Sequence, residues 1–180
     1  TFVSGFAPVY GGDDRFYNNI FIGDKKLSQV GTDHYDGYPA SLDEYIKAVS
    51  QEEGDHQAFH KIEQPVFINN NAYLNGAKPY DREQDNYENG SFDPELTIVE
   101  DENEVLLHIK IPEGFDEVSG KVYGTANLEK VRLVDQDFTQ PDGERLVIDR
   151  DMLGKERAES SFLGPLTSLK SGTSKIKIWG

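Results

Sequence analysis

Short apolar runs, broken every few residues by Gly, Asn or Pro, recur along the chain and predict strands and turns rather than long helices. In the stretch from Tyr10 to Gly23, the residues Phe16, Asn18, Ile20 and Ile22 share one parity. Asp13, Arg15, Tyr17 and Asn19 share the other, so a regular strand sends the two sets to opposite faces. An Asn among inward apolar residues suits stacked coils, where its amide can bond the backbone of the next turn. The run from Lys61 to Ala77 repeats this texture, with Val66-Phe67-Ile68 followed by Asn69-Asn70-Asn71 and then Ala72-Tyr73-Leu74-Asn75-Gly76. Between the two runs, residues 24–60 depart from the pattern. There Ser41 and Glu44 form an S-x-x-E capping box, and Leu42, Tyr45, Ile46 and Val49 form an apolar stripe, which predicts a helix near 41–50.

The texture changes after a polar, turn-rich stretch at 78–92. Val105, Leu107, Ile109 and Ile111 alternate with Leu106, His108 and Lys110, and shorter runs follow at 131–134, 146–148 and 176–179. Pro112-Glu113-Gly114 and Pro141-Asp142-Gly143 supply turns between them. The expected architecture is all-β: the final coils of a parallel β-helix over 1–90, with a helical insertion near 41–50, then a small antiparallel β-domain over 91–180 that caps it. Trp179 closes the last strand and is expected in the core.

Charge narrows the partners. The 180 residues carry 18 Lys and Arg against 33 Asp and Glu, a net charge of −15. A nucleic-acid surface needs clustered basic residues, and an anionic membrane needs the same, so neither is expected as a partner. A neutral sugar is compatible with this charge, because neutral ligands are not steered by it. The chain has no Cys, which excludes disulfides and thiolate metal sites, and no apolar run reaches the roughly 18–20 residues of a membrane span. The chain opens on Thr1 with neither an initiator Met nor a leader-like segment, so the start of its parent is expected to be missing. Cytoplasm, periplasm and export all remain open.

The sharpest chemical feature is Asp13-Asp14 after two glycines. Adjacent carboxylates at a strand start point to opposite faces, and a turn with an Asx cap explains the pair more readily than catalysis does. Glu63 opens the second run, before Gln64-Pro65. Alone it reads as a solvated strand-edge residue, but coils stacked about 4.8 Å apart bring matching carboxylates close. That approaches the roughly 5–5.5 Å separation of a retaining glycosidase pair. Glu44 is an alternative acid, already accounted for by the capping box. His56 and His60 lack an H-E-x-x-H context and read as polar surface, with His34 and His108 likewise, so no metal or cofactor is expected. Tyr35, Tyr38 and Tyr80 lie in predicted loops and are candidate walls of a sugar site.

Two blocks, Gly11-Gly12-Asp13-Asp14-Arg15-Phe16-Tyr17-Asn18-Asn19-Ile20-Phe21 and Gln64-Pro65-Val66-Phe67 with Tyr73-Leu74-Asn75-Gly76-Ala77-Lys78-Pro79, resemble the C-terminal third of glycoside hydrolase family 120. Weaker likeness runs through Phe92-Asp93-Pro94 and Pro141-Asp142-Gly143 to Trp179. The resemblance implies a right-handed parallel β-helix and a retaining β-xylosidase that releases terminal xylose from xylo-oligosaccharides. It implies an Asp nucleophile within Asp13-Asp14 and a Glu acid/base at Glu63. A non-catalytic carbohydrate-binding or structural β-helix fragment is the competing reading. A polysaccharide lyase is weaker, because no basic groove is visible.

Overall fold

The computed structural model describes residues 12–24, 26, 30–38, 40–52, 54, 57, 61–132, 134–158 and 163–180. His56 and His60 lie outside these residues. In chain order the elements are β1 (Asp14–Tyr17), β2 (Ile20–Ile22), α1 (Leu42–Ser50), β3 (Val66–Asn69), β4 (Asn71–Leu74), β5 (Asn86–Asn89) and β6 (Thr97–Glu100). They continue with β7 (Val105–Ile111), β8 (Tyr123–Gly124), β9 (Lys130–Val131), β10 (Gln136–Asp137), β11 (Val147–Ile148) and β12 (Gly172–Trp179). The chain is thus mostly β with little helix. Among the described residues no helix is long and apolar enough to cross a membrane.

Contacts divide the chain into two units. Unit 1 takes residues 1–15, 35–67 and 125–146, and unit 2 takes 16–34, 68–124 and 147–180. β1 and β3, which pair with each other, each carry residues of both.

Unit 2 holds a parallel sheet of order β2-β4-β5, with Ile20 opposite Ala72 and Asn71 opposite Asn86. The regular strand expected across 13–22 is instead two short strands parted at Asn18. That residue has φ 54°, and Asn70 between β3 and β4 repeats it at φ 62°. Asn tolerates this left-handed conformation better than most side chains, because its short amide bonds locally. The two corners stack, with the Asn18 amide donating to the Asn70 carbonyl at 3.0 Å. Asn18, the residue expected to bond the backbone of the next turn, donates from Nδ2 to the Lys121 carbonyl at 2.9 Å, whereas Asn71 Nδ2 donates to the Phe16 carbonyl at 2.9 Å and Asn75 Nδ2 to the Gly23 carbonyl at 2.8 Å.

Beneath β4 sits a buried polar network. The Glu83 carboxylate accepts from the Asn71 backbone amide (2.9 Å), from Asn71 Nδ2 (3.0 Å) and from the Tyr73 hydroxyl (2.6 Å). Tyr73 also bonds the Thr32 hydroxyl at 2.7 Å, and that hydroxyl accepts from the Tyr80 amide at 2.9 Å. Tyr80 is therefore buried rather than a loop wall.

The same unit contains an antiparallel sheet of order β12-β7-β6 and the short antiparallel pair β8-β11. Ile109 and Ile111 of β7 pack with Ala72, Phe115, Leu163, Leu166 and Leu169 in a buried apolar core. Trp179 does not join it: it is 64% exposed. The register explains this, because Gly172 pairs with Ile111 beside the core while Trp179 pairs with Val105 at the far end, beyond a bulge after Lys177.

Unit 1 carries α1 and the antiparallel pair β9-β10. The expected capping box is present. The Ser41 hydroxyl accepts from the Glu44 amide at 3.1 Å, and the Glu44 carboxylate accepts from the Ser41 amide at 3.0 Å. Tyr45 is the buried residue of the stripe, whereas Ile46 is exposed. Ser41→Ala removes one of the two reciprocal bonds and is expected to cost about 1 kcal/mol, read as a lower urea midpoint at unchanged slope.

Candidate active site

Three stretches of unit 1 converge around Gln64. Gly12, at φ 79°, lies so near that a Cβ there would sit 2.8 Å from the Gln64 side chain and from Pro65. A Cβ at Gly37 would sit 1.5 Å from the Gln64 carbonyl oxygen. The absent side chains at 12 and 37 let these backbones approach, and the approach carries Asp13-Asp14 and Tyr35 toward the segment that begins at Glu63. The Gln64 side chain completes the junction by donating to the Tyr45 hydroxyl at 2.7 Å.

The two aspartates have different surroundings. Asp13 Oδ1 accepts from Arg15 Nη2 at 2.6 Å, and its Oδ2 accepts from the Arg132 backbone amide at 3.3 Å. The Arg15 guanidinium lies 4.0 Å from the Phe67 ring centroid and 4.7 Å from that of Phe138, and it donates to the carbonyls of Leu128 and Lys130. Such a guanidinium, stacked on ring faces and bonded at its edge, is a rigid anchor for the carboxylate. Asp14 is exposed. Burial, and after it the Asp14 charge, pushes the Tyr35 hydroxyl above its usual range, so these two groups sense each other.

Glu63 is exposed at one side of a cavity of about 200 Å³ that Tyr38, Glu44, Tyr45 and Arg132 also line. A larger cavity of about 680 Å³ shares Ala40, Glu44 and Arg132 with it. Arg132 is fixed by donation from Nη1 to the Ala40 carbonyl at 2.9 Å and by the Tyr45 ring, 5.1 Å from the guanidinium carbon. Hydrogen bonds from the Ser41 amide and hydroxyl hold the Glu44 carboxyl below the usual carboxylate range. That suits a helix cap and disfavours a proton donor.

A solved structure of XylC in complex with xylose matches 98% of this chain at 48% sequence identity and a TM-score of 0.80. The chain resembles part of a glycoside hydrolase family 120 enzyme. It spans 28% of the length of XylC. No family model and no curated protein matches it.

The family 120 resemblance assigned roles to Asp13, Asp14 and Glu63 and gave none to Arg15 or Arg132. Arg15 was legible in part, since it shares the parity of Asp13 along the strand. Arg132 sits more than a hundred residues from Asp13, in a run read as a strand, and no local pattern connects the two. Among the described residues the structure joins Asp13 to Arg15 and to Arg132, sets Asp14 beside Tyr35, and shows no hydrogen bond or ion pair made by Glu63. No group of three or more metal-capable side chains occurs among the described residues.

Proposed function

We propose that the chain is part of a retaining glycosidase that releases terminal xylose from xylo-oligosaccharides, with Asp14 as nucleophile and Glu63 as acid/base. The convergence of residues 12–14 and 63–65 at Gln64 carries this reading, since it gathers both carboxylate-bearing segments in one unit. Kinship with a xylose-bound protein supports the substrate class. The parallel order β2-β4-β5 and the repeated strand–Asn–strand corners support two stacked turns of a right-handed parallel β-helix as the scaffold.

In the first step the Asp14 carboxylate attacks the anomeric carbon. The glycosidic C–O bond breaks, and the Glu63 proton passes to the leaving oxygen. In the second step Glu63, now a carboxylate, takes a proton from water as its oxygen attacks the same carbon, releasing xylose and the free Asp14 carboxylate. Asp13, with both oxygens engaged, anchors the nucleophile's strand through Arg15.

The test is hydrolysis of an aryl β-xyloside by the parent enzyme that carries this segment, with the anomer of the first-released xylose followed by NMR. Retention is expected. Glu63→Gln should slow turnover of substrates with poor leaving groups by about a hundredfold or more, and Asp14→Asn should abolish the glycosyl-enzyme seen by mass spectrometry. Inversion, or unaltered turnover in either variant, sinks the assignment. Saturable xylose binding without turnover would favour the non-catalytic sugar-binding alternative.

A further inference from the structure

The chain contains two Asn-Gly pairs, Asn75-Gly76 and Asn89-Gly90. Such a pair can modify itself, because glycine lacks the side chain that would keep its amide away from the preceding carboxamide. The two pairs occupy matching corners of the parallel sheet. Leu74 pairs with Asn89, and a Cβ at Gly90 would meet the Gly76 amide nitrogen at 3.8 Å. Their asparagines nevertheless sit differently.

Asn75 is locked in place. Its Nδ2 donates to the Gly23 carbonyl at 2.8 Å, its Oδ1 is buried, and its backbone is left-handed at φ 52°. Asn89 ends β5, and Gly90 and Ser91 after it are exposed. The Phe92 amide donates to the Asn89 carbonyl at 3.2 Å, which folds residues 89–92 into a tight turn. Ser91 Oγ donates to Asn89 Oδ1 at 3.2 Å. That hydroxyl stands where negative charge gathers on Oδ1 when a nucleophile attacks the carboxamide.

We propose that Asn89 is a site of spontaneous deamidation and that the fold spares Asn75. The Gly90 amide nitrogen gives up its proton and bonds to Asn89 Cγ. The Cγ–Nδ2 bond then breaks, ammonia leaves with that proton, and a cyclic imide remains. Solvent water opens the ring at either carbonyl, leaving aspartate or isoaspartate in place of the asparagine. Isoaspartate adds a methylene to the main chain where Asn89 pairs with Leu74, close to the Tyr87 ring that meets Phe115 edge-on at 5.3 Å. The product therefore loosens the end strand of the β2-β4-β5 sheet. Nothing in this chemistry involves Asp14 or Glu63.

The experiment ages the folded parent enzyme in mildly alkaline buffer made with heavy-oxygen water, then maps its peptides by mass spectrometry. The Asn89 peptide should take up label and become a substrate for an isoaspartyl methyltransferase, while the Asn75 peptide stays intact. In the urea-unfolded enzyme both pairs should convert at comparable rates. Gly90→Ala crowds the attacking nitrogen and should slow conversion at Asn89 by about tenfold, and Ser91→Ala by less. Asn75 converting as fast as Asn89 in the folded enzyme would overturn the inference. So would an Asn89 that stays intact there after the unfolded enzyme has converted.

Discussion

Replacing Glu83 with alanine is expected to destabilise the chain by about 3–5 kcal/mol in urea denaturation, because three buried donors lose their acceptor together. The Asn71 amide, the Asn71 side chain and the Tyr73 hydroxyl all converge on this carboxylate, and Glu83 itself is 8% exposed. Water is poorly placed to replace it. Glu83→Gln is the informative companion. The amide keeps an acceptor for Asn71 and can donate to Tyr73, whose own proton then turns to Thr32. Burial pushes the Glu83 carboxyl above its usual range, overcoming the opposing hydrogen bonds from Tyr73 and Asn71. A raised folded value means that the folded state binds the proton more tightly. This contribution is therefore fully present below the unfolded value of about 4.3 and is lost as pH rises through the folded one. Stability of Glu83→Gln should accordingly fall less steeply than that of the native chain as pH rises from about 4. Parallel curves would mean that Glu83 does not titrate in this window.

Gly37→Ala is expected to cost about 3 kcal/mol or more in urea denaturation. The new Cβ would stand 1.5 Å from the Gln64 carbonyl oxygen, a backbone atom, so either strand of chain must shift bodily. The shift falls next to Glu63. Gly90→Ala is the matched control: its Cβ would meet Gly76 at an ordinary 3.8 Å, and it should leave stability within about 0.5 kcal/mol. If both variants unfold at the same urea concentration, the close approach at Gln64 is not a constraint.

Local patterns in the sequence foretold local structure well. The capping box at Ser41 and Glu44 and the strand β7 follow from residues a few positions apart. Parity failed at Asn18, because counting assumes an unbroken strand and a left-handed residue resets it. Trp179 was misplaced because alternation tells which face a residue takes, but not where along the strand the core ends. The sequence displays the candidate carboxylates and hides the groups that surround them. Asp13, Arg15 and Glu63 stand in recognisable motifs, whereas Arg132 and Gly37 matter through distant backbone contacts that leave no local trace.

The stacked Asn corners also govern how the chain reaches its fold. Asn19 bonds Asn71 across 52 residues of sequence, so β2 cannot find β4 until a long loop has closed. Closure entropy grows only logarithmically, by about 0.6 kcal/mol for each doubling of loop length. The stretch between Ile22 and Val66 can therefore lengthen or shorten between related chains at little thermodynamic cost. Folding speed is another matter, since non-local pairing must be completed before its contacts stabilise anything. A chain so built tolerates variation in its excursion more readily than it tolerates haste in its assembly.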